Sequence, residues 1–345
     1  MRTVQSLVEA GLVPADQRES LAAVAELYAI AITPDVAALI DQDDPADPIA
    51  RQFVPSPEEL RAGQGELSDP IGDRAHSPVK GIVHRYPDRV LLKPLHACPV
   101  YCRFCFRREQ VGPGGEALSD TELDAALDYV RAHAEIWEVI LTGGDPLMLS
   151  PRRLGRLLDA LESIPHVATI RIHTRVPVAA PAMIGGPLLS VLKRRKPLWV
   201  AIHANHPREL TTAVGEACAG LVSAGVTLLG QTVLLRGVND DPAILEALFR
   251  AMVAVRIKPY YLHHPDLAPG TSHFRLSIAE GREIVRALRG RLSGLAQPTY
   301  VLDIPGGAGK VPVGPDWTLS DGVHDPAGRF HSYPIDSFAD RDGRE

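Results

Sequence analysis

The stretch HRYPDRVLLKPLHACPVYCRFCFRR, residues 84–108, holds three of the four cysteines in the chain. These are Cys98, Cys102 and Cys105, in a C-x3-C-x2-C spacing. Three thiolates within eight residues are typical of a metal-ligand loop rather than of disulfides, because thiolates select soft metals such as zinc or iron–sulfur clusters. The loop follows a strand-like run, Arg89–Leu95. It therefore predicts a metal site at the end of a strand.

Two kinds of metal site fit this loop. A structural zinc site needs four N or S ligands, and His84 or His96 is a candidate for the fourth. A cubane cluster held by three cysteines instead keeps one iron open for an outside ligand. The spacing, with Tyr101, Phe104 and Phe106 around it, resembles that of radical S-adenosylmethionine (SAM) enzymes, where the open iron chelates SAM. The resemblance favours a [4Fe–4S] cluster.

Composition predicts a globular chain without membrane or nucleic-acid ligands. The 345 residues are 45% hydrophobic and 23% charged, enough for one large domain with an appendage. A net charge of −6 gives no reason to expect nucleic acid. No signal peptide is recognisable, and no apolar run reaches membrane-spanning length. Only Cys218 lies outside the loop, which leaves nothing for an oxidising compartment to crosslink. We expect a cytoplasmic protein.

The order of elements predicts an α/β fold. From Arg89 onward, strand-like runs, among them Leu198–His203, Lys258–His263 and Thr299–Ile304, alternate with helical patterns, among them residues 181–195. This alternation favours a parallel sheet covered by helices. Polar residues follow several strands at their C-terminal ends, where barrel enzymes place their chemistry. We therefore predict a partial (β/α)6 TIM-like barrel of the radical SAM type with a helical N-terminal appendage over one face. The predicted parts are residues 1–75 (appendage), 76–298 (barrel) and 299–345 (C-terminal segment).

The predicted strand ends carry candidate ligand-binding residues. The second strand, Glu138–Thr142, leads into Gly143, Gly144 and Asp145. Two glycines allow close approach to a ligand, whereas Asp145 alone would be interpreted as a helix cap. His203 ends the fourth strand and Gln231 lies in the fifth. Beside a cluster loop, the GGD motif resembles the site that binds the amino group of SAM.

Near the C-terminus, the loop Pro305–Lys310 reads PGGAGK. It lacks the spacing and the Ser or Thr of a nucleotide phosphate loop. A glycine-rich loop that presents a single lysine fits another role, because lysine forms Schiff bases with pyridoxal phosphate (PLP). A solvated surface lysine is the alternative interpretation.

Taken together, the motifs resemble the lysine 2,3-aminomutase family of radical SAM, PLP-dependent enzymes across about residues 45–317. The resemblance implies that Cys98, Cys102 and Cys105 hold a [4Fe–4S] cluster and that Lys310 forms the Schiff base with PLP. The other implied site residues fall into three groups: SAM binding by Gly143, Gly144, Asp145, His203 and Gln231; PLP binding by Arg85, Tyr86 and Arg89; and substrate binding by Arg107, Asp266 and Asp303.

The resemblance also implies the reaction. Arg107 would pair with the carboxylate of lysine, and Asp266 and Asp303 with its far ammonium. A SAM-derived 5′-deoxyadenosyl radical would take hydrogen from the β-carbon, and the amino group held by PLP would move from the α- to the β-carbon. An electron donor such as flavodoxin or ferredoxin is implied, and a homo-oligomer is expected. No cysteine follows Cys218, so the C-terminal zinc cysteines of longer members are missing.

Three functional alternatives stay open. The Cys105-Phe106-Arg107 sequence and the short length resemble the branch that makes (R)-β-lysine for elongation factor P, while Asp303 and Lys310 resemble the branch acting on free lysine. An aminomutase for another amino acid, such as glutamate, is the second alternative. A non-enzymatic zinc-binding interaction protein is the third, although it leaves Lys310 and the GGD motif unexplained.

Overall fold

The architecture is a curved, mostly parallel sheet surrounded by helices. The computed structural model describes residues 1–333. Nine strands lie side by side in the order of the chain: β1 Ile82–Tyr86, β2 Arg89–Leu95, β3 Glu138–Gly143, β4 Thr169–Thr174, β5 Leu198–His203, β6 Thr227–Val233, β7 Lys258–His263, β8 Thr299–Ile304 and β9 Gly309–Pro312. Because each crossover adds the next strand on the same side, the sheet has the topology of a (β/α) barrel. The predicted fold class is confirmed.

The sheet extends the six predicted units at both ends. Strands β2 to β8 are parallel, so β8 is a seventh parallel strand. Strand β1 pairs antiparallel with β2, and β9 pairs antiparallel with β8. The glycine loop, predicted to be flexible, is therefore the connection of a β-hairpin, and Lys310 lies on strand β9. A small separate sheet follows, with β10 Thr318–Leu319, β11 Gly322–His324 and β12 Phe330–Ser332.

The helices are short in the N-terminal part and longer around the barrel. They are α1 Val4–Glu9, α2 Arg18–Leu27, α3 Pro34–Ala37, α4 Pro48–Phe53, α5 Asp120–Ala132, α6 Pro151–Glu162, α7 Val176–Ala179, α8 Gly186–Leu192, α9 Thr212–Ser223, α10 Pro242–Ala254 and α11 Ile278–Leu288. Most of the barrel helices start at a side-chain cap; the Ser150 hydroxyl, for example, accepts from the Arg153 backbone N–H. Within residues 1–333, no helix is both long and apolar enough to cross a membrane.

The main core lies between the sheet and the helices. Strand β3 is buried at Val139, Ile140 and Leu141 in succession, as expected for a parallel strand covered on both faces. Helix α6 buries Leu154, Leu157, Leu158 and Leu161, at the spacing of one helical face. These residues belong to one continuous cluster that runs through the barrel.

A second apolar core lies under the N-terminal appendage. It contains Leu21, Val24 and Phe53 from the appendage together with Val100 and Tyr101, which lie inside the cysteine loop. The backbone joins the two parts as well, because the Tyr101 N–H donates to the Ala31 carbonyl at 2.9 Å. The appendage therefore packs directly on the loop that carries the three cysteines.

Candidate active site

The three cysteines of the loop lie close enough to interact, in partly buried positions after strand β2. Burial raises the pKa of each thiol, that of Cys105 to about 11, and the neighbouring cysteines raise the pKa values of Cys98 and Cys105 further. Such thiols ionise readily only when a metal takes the place of the proton. No three His, Cys, Asp or Glu side chains among residues 1–333 converge on the position of a single metal ion. The fourth cysteine, Cys218, is buried in helix α9.

The two histidines considered as a fourth zinc ligand have other surroundings. His84 Nδ1 lies 2.8 Å from the Tyr129 hydroxyl, on the side of the sheet that faces helix α5. The backbone of His96 joins the end of β2 to residues 112–116 through two hydrogen bonds. Burial, followed by the charges of Lys93 and Arg107, lowers the pKa of His96.

One buried carboxylate fixes the cysteine loop to the appendage. Glu59 accepts from Arg103 Nε at 2.9 Å and also pairs with Arg108. Arg103 further donates to the Ala29 carbonyl at 2.7 Å, and the Arg108 guanidinium lies 3.6 Å from the centre of the Tyr28 ring. Because buried cations are stable only when paired, these contacts determine the path of the loop.

The two glycines of the GGD motif lie against the stem of the cysteine loop. A Cβ at Gly144 would lie 2.3 Å from the Ala97 carbonyl oxygen, and Gly143 has a φ of +105°. The backbone N–H groups of Gly144 and Asp145 donate to Leu95 and Ala97, both at 2.8 Å. Glycine is therefore required here by a close approach of two backbone segments.

The Asp145 carboxylate is fully engaged within the protein. It accepts from the Thr174 hydroxyl at 2.7 Å, from the Arg175 N–H at 2.7 Å and from the Val176 and Leu147 N–H groups at 3.1 Å. Burial raises its pKa in spite of these bonds. The carboxylate thus holds the end of β4 next to the end of β3, which agrees with the capping interpretation.

His203 and Gln231 lie side by side. They are register partners on the neighbouring strands β5 and β6. The His203 ring is 5.5 Å from that of Phe104, inside the cysteine loop, and its Nε2 is 3.1 Å from Asn205 Oδ1. Burial lowers the pKa of His203 well below its usual value. Both residues therefore reach the same end of the barrel as the cysteines.

Lys310 points toward a group of polar side chains at the ends of β7 and β8. Its ammonium pairs with Asp303 and lies 3.3 Å from His263 Nδ1, while its backbone N–H donates to the Tyr86 hydroxyl at 2.7 Å. Burial alone would raise the pKa of Asp303, but His263 and Lys310 lower it strongly. The alternative of a solvated surface lysine does not agree with this position.

Asp266 follows β7 and faces the same group. Burial, then the negative charge of Asp303, raises its pKa to about 7, against the opposing charges of Lys310, Arg107 and Arg85. The two carboxylates predicted for the far ammonium of the substrate thus lie within electrostatic reach of each other and of Lys310. The pKa values of the two carboxylates are shifted in opposite directions, and among the described residues a cation contacts Asp303 directly.

A second buried carboxylate, Asp73, lies among three cations. Arg107 donates to it at 2.9 Å, Lys93 Nζ is 3.4 Å away and Arg85 Nη2 is 3.5 Å away. Burial alone would raise the pKa of Asp73, but the charges of Arg107 and Lys93 outweigh burial and lower it. Three cations around one carboxylate leave a net positive charge, which suits a phosphate or a carboxylate from outside.

Comparisons with known proteins agree with this arrangement. Residues 92–248 match the Radical SAM superfamily and residues 285–333 match the lysine-2,3-aminomutase family. The L-lysine 2,3-aminomutase of Clostridium subterminale is 40% identical over 93% of this chain and 77% of its own length. A putative L-lysine 2,3-aminomutase of Aquifex aeolicus is 43% identical over 88% of this chain and 82% of its own length.

The chain belongs to the lysine 2,3-aminomutase family. It is therefore an isomerase of the aminomutase class, as the motifs predicted, and its family uses a [4Fe–4S] cluster, SAM and PLP. A glutamate 2,3-aminomutase of Clostridioides difficile is also similar, at 38% identity over 89% of this chain and 72% of its own length. Among solved structures, a radical SAM methyltransferase from Sphaerobacter thermophilus superposes with a TM-score of 0.46 at 19% identity, over 64% of this chain and 68% of its own.

The described residues fit the cofactors of this family. One of the three partly buried thiols, that of Cys102, lies beside the buried guanidinium of Arg175, which can offset the negative charge of a thiolate-bound cluster. The excess of buried cations around Asp73 fits the anionic groups of PLP and of an amino acid. Arg89 differs from the other predicted PLP residues, because it stacks 3.8 Å over Tyr86 and pairs with the exposed Asp88.

Sequence reasoning missed four residues of this site: Asp73, Lys93, Arg175 and His263. Asp73 lies in a segment without strand or helix periodicity, so no sequence signal points to it. Arg175 and His263 end predicted strands, the position at which barrel enzymes place functional groups, and this was the available signal. Lys93 lies inside a strand, where its pattern indicates only burial.

Proposed function

We propose that the chain is an L-lysine 2,3-aminomutase that interconverts L-lysine and β-lysine. The observation that carries this proposal is the pair of carboxylates, Asp266 and Asp303, beside Lys310 at the end of the barrel. A buried ammonium must be paired to offset its loss of hydration. The far ammonium of lysine distinguishes it from most amino acids, and these two carboxylates provide the matching charge.

Different residues would bind the different parts of the substrate. Arg107 would pair with the α-carboxylate, which would share or replace the contact that Arg107 makes with Asp73. Lys310 would be the attachment residue for PLP, with Arg85, Tyr86 and Arg89 around the ring and phosphate. Lys310 would hold PLP, and Asp303, which pairs with Lys310 here, would be one of the two carboxylates offered to the substrate ammonium.

The metal-binding end of the barrel would have a separate task. Cys98, Cys102 and Cys105 would hold the cluster, and His203 and Gln231 would line the SAM site. When bound, the cluster and SAM supply a 5′-deoxyadenosyl radical, and PLP stabilises the reacting substrate. Because the Asp145 carboxylate is engaged within the protein, we propose that Gly143, Gly144 and Asp145 contact SAM through their backbone carbonyls. The protein itself positions the groups and excludes water.

Several further assignments remain proposals. We propose that the chain divides into parts at residues 1–75, 76–298 and 299–345. We also propose a flavodoxin or ferredoxin as the electron donor, a homo-oligomeric assembly and a cytoplasmic location. Two destinations of the product are alternatives: free metabolism or, as (R)-β-lysine, modification of elongation factor P. A glutamate aminomutase is the second candidate activity, since one such relative is 38% identical. The side-chain carboxylate of glutamate would lie beside Asp266 and Asp303, and repulsion between these negative charges is unfavourable.

The proposal is tested with anaerobically reconstituted protein supplied with PLP, SAM and dithionite. Lysine and glutamate are offered separately, and the products are identified by mass spectrometry after chiral derivatisation. We expect β-lysine from lysine, and the stereochemistry of the product separates the two lysine branches. Turnover of glutamate in preference to lysine would reject the proposal.

A further inference from the structure

A buried arginine contacts one of the three cysteine sulfurs directly. Arg175, at the end of strand β4, donates from Nη1 to Cys102 Sγ at 3.1 Å. Only 5% of Arg175 is exposed, and its guanidinium lies 4.6 Å from the centre of the Phe53 ring and 5.4 Å from that of Phe104. The contact is therefore shielded from water, and a charged hydrogen bond is stronger in such surroundings.

The other terminal nitrogen of the guanidinium, Nη2, is held by two other residues. Nη2 donates to Gln52 Oε1 and to Glu209 Oε2, both at 2.7 Å. Glu209 in turn accepts from the Asn205 and His206 N–H groups at 2.9 Å and from Gln52 Nε2 at 3.1 Å. Every partner in this group is itself bound, so the guanidinium has a defined orientation toward the sulfur.

This group joins three separate parts of the chain. Gln52 lies in helix α4 of the N-terminal appendage, Arg175 follows β4 and Glu209 follows β5. It also reaches the proposed SAM site, because Asn205 donates to Gln52 Oε1 at 3.0 Å and lies 3.1 Å from His203 Nε2. Each buried polar group in this set needs a hydrogen-bond partner. Apolar side chains would fill the same space without that requirement, so packing alone does not explain the contact.

We propose that Arg175 tunes the reduction potential of the iron–sulfur cluster. A cluster held by three thiolates becomes more negative when it takes up an electron, and a buried cation hydrogen-bonded to one ligand sulfur stabilises that reduced form. Arg175 thereby raises the potential of the cluster, and Gln52 and Glu209 are positioning residues for it. The inference rests on the proposed function, because it needs the cluster.

The experiment measures the midpoint potential of the reconstituted cluster by a redox titration followed by electron paramagnetic resonance. The variants are Arg175→Gln and the double variant Arg175→Met with Glu209→Gln, which removes both buried charges. The matched control is Arg171→Gln, on the same strand, whose buried guanidinium pairs with Glu138 at 2.9 Å. Iron content is measured in each protein.

At the midpoint potential of the wild type, we expect the ratio of reduced to oxidised cluster to fall at least tenfold in Arg175→Gln. For a one-electron couple this corresponds to a shift of about 59 mV to lower potential. The double variant should show a smaller fall in the same direction, because it also removes the negative charge of Glu209, which lies behind the guanidinium as seen from the sulfur. The control should keep the wild-type potential even if it is less stable. An unchanged potential in either Arg175 variant that retains its iron would overturn the inference.

A second measurement uses the wild-type protein and therefore does not depend on the folding of a variant. Wild-type protein labelled with 15N in the arginine guanidinium is reduced, and pulsed electron paramagnetic resonance is used to detect coupling between the label and the cluster. We expect a 15N coupling, and its absence would overturn the inference. A wild-type protein that forms no cluster at all would instead reject the proposed function, so the two failures are distinguishable.

Discussion

The pKa of Asp266 leads to a pH dependence that can be worked out in advance. The value lies near 7 instead of 3.8, because the carboxyl group is buried beside the negative charge of Asp303. Three pKa units correspond to about 4 kcal/mol in favour of the neutral form in the ligand-free site. The groups that oppose this shift are Lys310, Arg107 and Arg85.

The sign follows from the charge that the substrate requires. The ammonium of lysine needs the ionised carboxylate, so its binding improves as pH rises through about 7. About a tenth of Asp266 is ionised at pH 6 and about nine-tenths at pH 8, which gives a rise of about tenfold in kcat/KM.

The assay compares the wild type with Asp266→Asn between pH 6 and pH 8. The ratio of their kcat/KM values for lysine cancels ionisations common to both proteins, including those of the substrate and of His263. We expect this ratio to rise about tenfold over the interval. A ratio that stays constant would mean that Asp266 does not hold the ammonium, or that it is already ionised at pH 6.

A second variant checks the stated cause of the shift. Because the charge of Asp303 raises the pKa of Asp266, Asp303→Asn should move the midpoint to lower pH. In the ligand-free protein, the same raised pKa makes folding more favourable below about pH 4 and removes this contribution as pH rises toward 7. A midpoint unchanged by Asp303→Asn would contradict the proposed proximity of the two carboxylates.

Three further predictions concern the cofactors and the buried cations. Cys102→Ala should lose cluster iron and SAM cleavage, while Cys218→Ala, in helix α9, should keep both; normal iron content and cleavage in Cys102→Ala would reject the ligand assignment. Lys310→Ala should lose the PLP that borohydride fixes to the protein but retain its iron, and fixation at Lys80 or Lys93 instead would show that the attachment residue is wrong. Asp73→Asn should lower the free energy of unfolding of the PLP-free protein by about 3–5 kcal/mol, because Arg85, Lys93 and Arg107 lose their counter-charge. Inorganic phosphate should restore part of this loss in urea unfolding experiments, and equal stability with and without phosphate would contradict the role of Asp73.

Much of the barrel follows from local sequence patterns. The predicted strands Leu198–His203, Lys258–His263 and Thr299–Ile304 agree with the structure at both ends, because apolar runs bounded by turns are a local property. The helix predicted over 181–195 is instead a short turn followed by α8 from Gly186 to Leu192. Two glycines and Pro187 interrupt it, as expected from their low helix propensity.

The antiparallel edge strands were not predicted. Strand β1, Ile82–Tyr86, and strand β9, Gly309–Pro312, are four or five residues long and rich in turn-forming neighbours. Their pairing depends on β2 and β8 rather than on their own pattern. This matters for function, because β1 and β9 carry Arg85, Tyr86 and Lys310, and the backbone of Lys310 donates to the Tyr86 hydroxyl across 224 residues of sequence.

The charged groups of the site show a second limit of sequence reasoning. Motifs identified the residues that would contact cofactors, because each of those residue types has a characteristic chemistry. The partners of these residues come from distant segments: Asp73 lies 34 residues from Arg107, Gln52 lies 123 residues from Arg175, and Gln52 lies 157 residues from Glu209. A pairing of this kind leaves no periodic or local signal.

The N-terminal appendage is the clearest case. Its sequence predicted a helical cover over one face of the barrel, and a cover would require only an apolar surface. The structure adds Glu59, whose carboxylate neutralises two arginines of the cysteine loop, and Gln52, which orients the arginine that contacts Cys102. Neither residue could be replaced by an apolar one without leaving buried charge unpaired or unoriented. We therefore propose that the appendage forms part of the cluster environment, since the cysteine loop would supply the ligands but not the groups that fix its path or its charge.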